Sequence, residues 1–167
     1  MPANMDNTAI LNQVLIMLNR SFAMYLHYAM PYFTQGDEQL RAAFENLVAD
    51  QKSYVDKLGE MIIDRETRAE MGQFPMQYTD CHDLSIQYLI RELVRDQERD
   101  VRAFTRAVEF LRRDPAALAL VEEILGNAQG HLETLSSLAK QQRPPSMIST
   151  NPLPNDSPAT IRMSAAV

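Results

Sequence analysis

Apolar side chains recur at three- and four-residue spacing along four stretches of this chain, the mark of helices that each bury one face. In the first stretch Ile10, Val14, Met17, Leu18, Ser21, Phe22, Tyr25 and Tyr28 share a face, which predicts a helix from about Asn7 to Tyr32. Gln35-Gly36-Asp37 interrupts it. Leu40, Phe44, Leu47, Val48, Gln51, Tyr54, Val55, Leu58, Met61 and Ile62 then repeat the pattern in a second helix. Glu70 to Met76, with Gly72 and Pro75, breaks the periodicity again, and about ten residues are expected to lead to a third helix beginning near Asp83. That helix carries Ile86, Leu89, Ile90, Leu93, Val101, Phe104, Val108 and Leu111. Asp114-Pro115 reads as an N-cap followed by proline in the first turn, opening a fourth helix that runs through Leu118, Val121, Ile124, Leu132 and Leu135 to about Gln141.

Connections in the order short, long, short predict an all-α four-helix bundle, two antiparallel hairpins joined by one long crossover. Beyond Gln142 the prolines at 144, 145, 152, 154 and 158, set among serine and asparagine, forbid a helix. The expected organisation is therefore a bundle over 1–142 and an extended proline-rich tail over 143–167. No internal repeat is visible, which excludes a solenoid.

Composition narrows the function classes. With 167 residues, 46% of them hydrophobic, the chain has ample material for one core. Its net charge of -6 and the lack of any basic run argue against nucleic acid and anionic membrane surfaces as partners. No apolar stretch approaches the roughly 18 residues of a membrane span, and MPANMDNTAI lacks the cationic and apolar parts of a secretory signal, so a cytoplasmic location is expected. Cys81 is the single cysteine, without a partner for a disulfide or a thiolate cluster, and should simply pack. Met17, Met24 and Met61 stand at apolar spacing, where a flexible thioether fills gaps. Arg91-Glu92, Arg95-Asp96 and Glu98-Arg99-Asp100 alternate in sign, as on an exposed or subunit-contacting face. Neither a catalytic triad, a phosphate loop nor zinc spacing is present.

Leu26-His27-Tyr28-Ala29-Met30, the segment Val55 to Ile62, and above all Glu123-Ile124-Leu125 through Gly130-His131-Leu132 carry a resemblance. Across residues 8 to 140 the chain resembles bacterioferritin and the wider ferritin-like superfamily. The resemblance implies iron binding, oxidation and storage in an assembly of like subunits or a mixed oligomer with a ferritin-like partner. It also implies a di-iron centre built from a glutamate on each of two helices and Glu-x-x-His on each of the others.

Carried across, that ligand set is depleted. The fourth-helix motif becomes Ala128-Gln129-Gly130-His131, which keeps the imidazole and loses the bridging carboxylate. The second-helix motif falls on Gln51-Lys52-Ser53-Tyr54. The first-helix glutamate falls near Met17, Leu18 or Ser21, inside a stretch from Asp6 to Asp37 that contains no carboxylate between its ends. The third helix offers Asp96, Gln97 and Asp100. Haem is not expected, since Lys52 stands where bacterioferritins have their haem-ligating methionine. His131 and Asp96 are the candidate metal ligands that remain.

Two ferrous ions held by so few anions would be left uncompensated in a low-dielectric interior. Gln51, Tyr54, Gln97 and His131, around the small Ala128, are expected instead to hydrogen-bond one another as a polar plug, leaving this subunit without ferroxidase activity of its own. His27 with Asp56 and Glu60 resembles the interface iron site of miniferritins, although acids four apart usually form a solvated face. His82, by the crossover, is expected to cap or meet solvent. The alternative to an iron-handling subunit is a non-catalytic scaffold whose tail, with Ile161 and Met163, docks to a shell protein or another partner.

Overall fold

The computed structural model describes residues 6–142, so the expected tail lies outside the described residues. Five α-helices follow in order: α1 (Asn7–Asn19), α2 (Phe22–Ala29), α3 (Glu38–Ile63), α4 (Ile86–Phe110) and α5 (Pro115–Gln141). They form the all-α bundle expected from the apolar periodicity, with α1 and α2 packed along α3, and α4 along α5. None of the described helices is long and apolar enough to cross a membrane.

The first expected helix is in fact two. The chain leaves helical geometry at Arg20, and Ser21 takes extended dihedrals and caps α2, its Oγ accepting from the Met24 amide at 3.1 Å. Without proline or glycine at the break, the cause is tertiary. The carboxylate of Asp96, on α4, accepts the Phe22 amide at 2.9 Å, satisfying a donor that an unbroken helix would have spent on its own carbonyl.

The crossover is also longer than expected, running over residues 64–85 and containing a short 3-10 turn, Met76–Cys81. It is strapped across α1 by polar contacts. Asn19 Nδ2 donates to the Met71 carbonyl at 2.7 Å, Arg20 Nε to the Gly72 carbonyl at 2.9 Å, and the Glu70 amide to Asn12 Oδ1 at 2.8 Å. Gly72 makes the close approach possible: its φ is +67°, and a Cβ there would stand 2.6 Å from Ile16 Cγ2. Gly72→Ala should therefore lower stability by about 1–3 kcal/mol, read from the urea midpoint. A change under a few tenths would mean that the strap yields freely.

At the far end, a parallel bridge between Tyr32 and Ser85, with the Ile86 amide donating to the Tyr32 carbonyl at 2.9 Å, ties the beginning of the loop between α2 and α3 to the start of α4. Asp114 opens α5 as expected, accepting from the Ala117 amide at 3.2 Å and from Arg65 at 2.6 Å. Burial explains which faces turn inward. One apolar cluster joins Leu11, Leu15 and Leu18 of α1 to Leu58, Phe104, Val121 and Ile124; a second joins Phe22 and Leu26 of α2 to Leu40, Leu47, Leu89, Leu93 and Leu135. Met24 is buried, Met17 and Met61 pack against the first cluster, and Cys81 packs against the second.

Candidate functional site: a polar belt at the middle of the bundle

Every long helix passes between the two apolar clusters at the same height, and there the inward residues turn polar. Ser21 stands at the break between α1 and α2, Gln51 on α3, Asp96, Gln97 and Asp100 on α4, and His131 on α5. All but the half-buried His131 are buried. This is the level at which the ferritin-like resemblance puts iron ligands.

Gln51, Tyr54, Gln97, Ala128 and His131 line one small internal space of about 10 Å³, the room of about one water molecule. The structure thus brings the expected residues together. The mutual hydrogen-bonded plug expected of them does not form, because Gln51, Tyr54 and His131 find their partners elsewhere and Gln97 is left with an unpaired oxygen. Gln51 Oε1 accepts from Ser21 Oγ at 2.6 Å. Tyr54 donates to Glu123 Oε1 at 3.2 Å, where Lys57 also reaches that oxygen at 3.0 Å. Burial, and then the negative charge of Glu123, push the Tyr54 hydroxyl up to about 12, so it stays a donor. His131 Nε2 donates to Asp50 Oδ2 at 2.8 Å, alongside Asn127 Nδ2 at the same distance. Burial would raise the Asp50 carboxyl, but the hydrogen bonds from Asn127 and His131 outweigh it and hold the group below its ordinary value. Gln97 is 1% exposed, and its Oε1 has no donor.

Asp96, the other candidate metal ligand, does not share that space with His131. It lies on the wall of a neighbouring cleft between the first-helix break, the crossover and α4. Its acceptors are committed: Oδ2 to the Phe22 amide, Oδ1 to the Tyr78 hydroxyl at 3.3 Å and to the Arg99 guanidinium. Burial and the Asp96 charge push the Tyr78 hydroxyl well above its ordinary range.

The alternating charge run on α4 needs correction. Arg91, Glu92, Arg95, Glu98 and Arg99 are exposed, whereas Asp96 and Asp100 are buried because they continue the inward stripe of Leu89, Leu93 and Phe104. Asp100 is 5% exposed and its Oδ2 has no hydrogen-bond partner. Burial, and then the neighbouring Asp96 carboxylate, push its carboxyl well above the usual carboxylate range, against the opposing pull of Arg99. Asp50 is the partner residue that the sequence pattern did not single out, whereas Ser21 and Asp100 already stand at expected ligand positions.

Among the described residues no three of His, Cys, Asp and Glu converge as a metal-holding group. His27 does not meet Asp56 and Glu60 in such a group; its Nε2 accepts from Lys52 Nζ at 2.8 Å. His82 is hydrogen-bonded to the Tyr25 hydroxyl at 2.7 Å.

The bundle and its mid-height belt define a ferritin-like domain, and the family model for that domain matches residues 8–143; the chain belongs to this family. Among solved structures it is similar to the bacterioferritin of Desulfovibrio desulfuricans, described with its di-iron site in different catalytic states. The two share 16% identity with a TM-score of 0.57, over 81% of this chain and 83% of the other, a likeness of fold. No curated protein sequence matches significantly.

Proposed function

We propose that this protein is a subunit of the iron-storage type whose di-iron centre has been exchanged for protein hydrogen bonds, so that it contributes architecture and iron-binding surface but no ferroxidase step. The observation that carries this reading is the commitment of Asp96. Of the two buried acids on α4, the one next to Gln97 spends its oxygens on a backbone amide, a phenol and a guanidinium.

The donor set supports the same reading. Around the internal space stand amides, a phenol, a methyl group and one imidazole already paired with Asp50, in place of the several anions that two ferrous ions demand. In this reading His131 and Asp96 act as hydrogen-bonding groups of the belt. A subunit of this kind works in an assembly, with further copies or with an oxidase-competent ferritin-like partner, in the cytoplasm.

Ferrous iron added aerobically at stoichiometric loading should give no rapid ferric absorbance beyond autoxidation. Fast oxidation saturating with the amount of protein would overturn the proposal, as would elemental analysis finding paired iron retained by the purified chain after chelation.

A further inference from the structure

The cleft beside the belt is open to solvent and offers about 650 Å³, within the size range of small-molecule sites. Its charged lining is Asp96 and Asp100 on the inner wall with Arg20, Arg99, Arg102 and Arg106 around them, and no residue of α3 or α5 contributes. Asp96 is saturated by the fold, with Tyr78 and Arg99 among its donors. Asp100 is not: it is buried, it lines the cleft, and one of its carboxyl oxygens has no partner. Arg102 and Arg106 form no ion pair among the described residues, and Arg20 spends its Nε on the crossover carbonyls while its guanidinium stacks on Phe74 at 4.6 Å.

These groups discriminate between ligand chemistries. A metal ion would find a single uncommitted carboxylate and a guanidinium rim that repels it. A simple dianion would suit the rim but would bring no cation to Asp100, and a polyamine would meet the arginines. We propose that this cleft binds a small zwitterion, an α-amino acid with an acidic side chain, its ammonium on Asp100 and its carboxylates on the arginines. A buried carboxyl pairs well with an ammonium, and a guanidinium fork with a carboxylate.

Proton linkage gives the site a signature. Burial and Asp96 keep the Asp100 carboxyl protonated in the free protein well above the ordinary carboxylate range. An ammonium beside it favours the ionised form, so occupancy releases a proton to buffer.

The test is calorimetric titration of the full chain with L-glutamate at several pH values from the mildly acidic range to neutral, in two buffers of different ionisation enthalpy. Saturable binding with a Kd of about 1 mM or tighter, together with a buffer-dependent heat, is expected. Asp100→Asn, a neutral isostere that keeps the fold, should weaken binding at least about tenfold and abolish the buffer dependence. Arg106→Gln, on the exposed rim, should weaken binding several-fold with the proton release retained. Glutarate, which lacks the ammonium, should bind at least about tenfold more weakly than glutamate. Equal binding of glutarate, unchanged binding by Asp100→Asn, or no saturable heat up to about 10 mM glutamate would each overturn the proposal.

Discussion

Replacing Asp96 by alanine should lower the unfolding free energy by about 3–5 kcal/mol, the largest effect of any single belt substitution. The change strands the Phe22 amide and the Tyr78 hydroxyl without their acceptor, and each buried donor left unpaired costs about 1–3 kcal/mol. The lost Arg99 pair adds less, since that guanidinium is largely exposed to solvent. Loss of the anion at the start of α2 removes a favourable interaction with that helix terminus as well. Urea denaturation gives the magnitude, and hydrogen exchange locates it. The amides of α2 should exchange faster than those of α5 relative to the parent. A loss under about 1 kcal/mol, spread evenly over all helices, would mean that Asp96 does not organise the break.

Asp100→Asn should act in the opposite direction, making the protein more stable at neutral pH. The folded-state carboxyl is raised above its unfolded value of about 3.9, so below that pH both states carry the proton and the group is neutral in its effect. As pH rises above it, the unfolded chain ionises while the buried Asp100 stays protonated. Folding then loses about 1.4 kcal/mol per pH unit, until the folded carboxyl itself titrates. The asparagine variant lacks this loss. Its advantage over the parent should appear above about pH 4, grow through the mildly acidic range and persist at neutral pH, and it should vanish near pH 3. Paired stability curves from pH 3 to 8 check this. In the Asp96→Ala background the window should narrow, because the Asp96 charge is the second cause of the shift after burial. A variant that is less stable than the parent at neutral pH would contradict the assignment.

The helix faces were legible because burial imposes a 3.6-residue period that survives in the sequence, and α5 was legible down to its Asp114 cap and Pro115. The break at Ser21 was not, since the Asp96 carboxylate that takes the Phe22 amide is 74 residues away from it and only tertiary packing brings the two together. Serine is a good cap, but serine inside an apolar period reads equally well as a tolerated helix residue. The crossover was read short because nothing like proline or glycine marks the end of α3 at Asp64. The tether from Arg65 to Asp114 and the strap over α1 hold the chain there instead.

For the belt, Gln51, Tyr54, Gln97, Ala128 and His131 were placed around one space by family resemblance, but their hydrogen-bond partners were not readable. Asp50, Glu123 and Ser21 sit one residue, or one helix, away from the pattern that drew attention to the others. A signal for Asp96 and Asp100 did exist. Both fall on the spacing that links Leu93 to Phe104, and the alternating charges around them masked it.

An interior made only of leucine and isoleucine would let a helix slide along its neighbour by one turn, about 5.4 Å, with little penalty. Here such a slip would set Gln51 or Asp96 against leucine and separate Ser21 from Gln51 and Phe22 from Asp96. The axial alignment of the helices is thereby locked to a single solution, and every surface patch of the bundle is held at a fixed height.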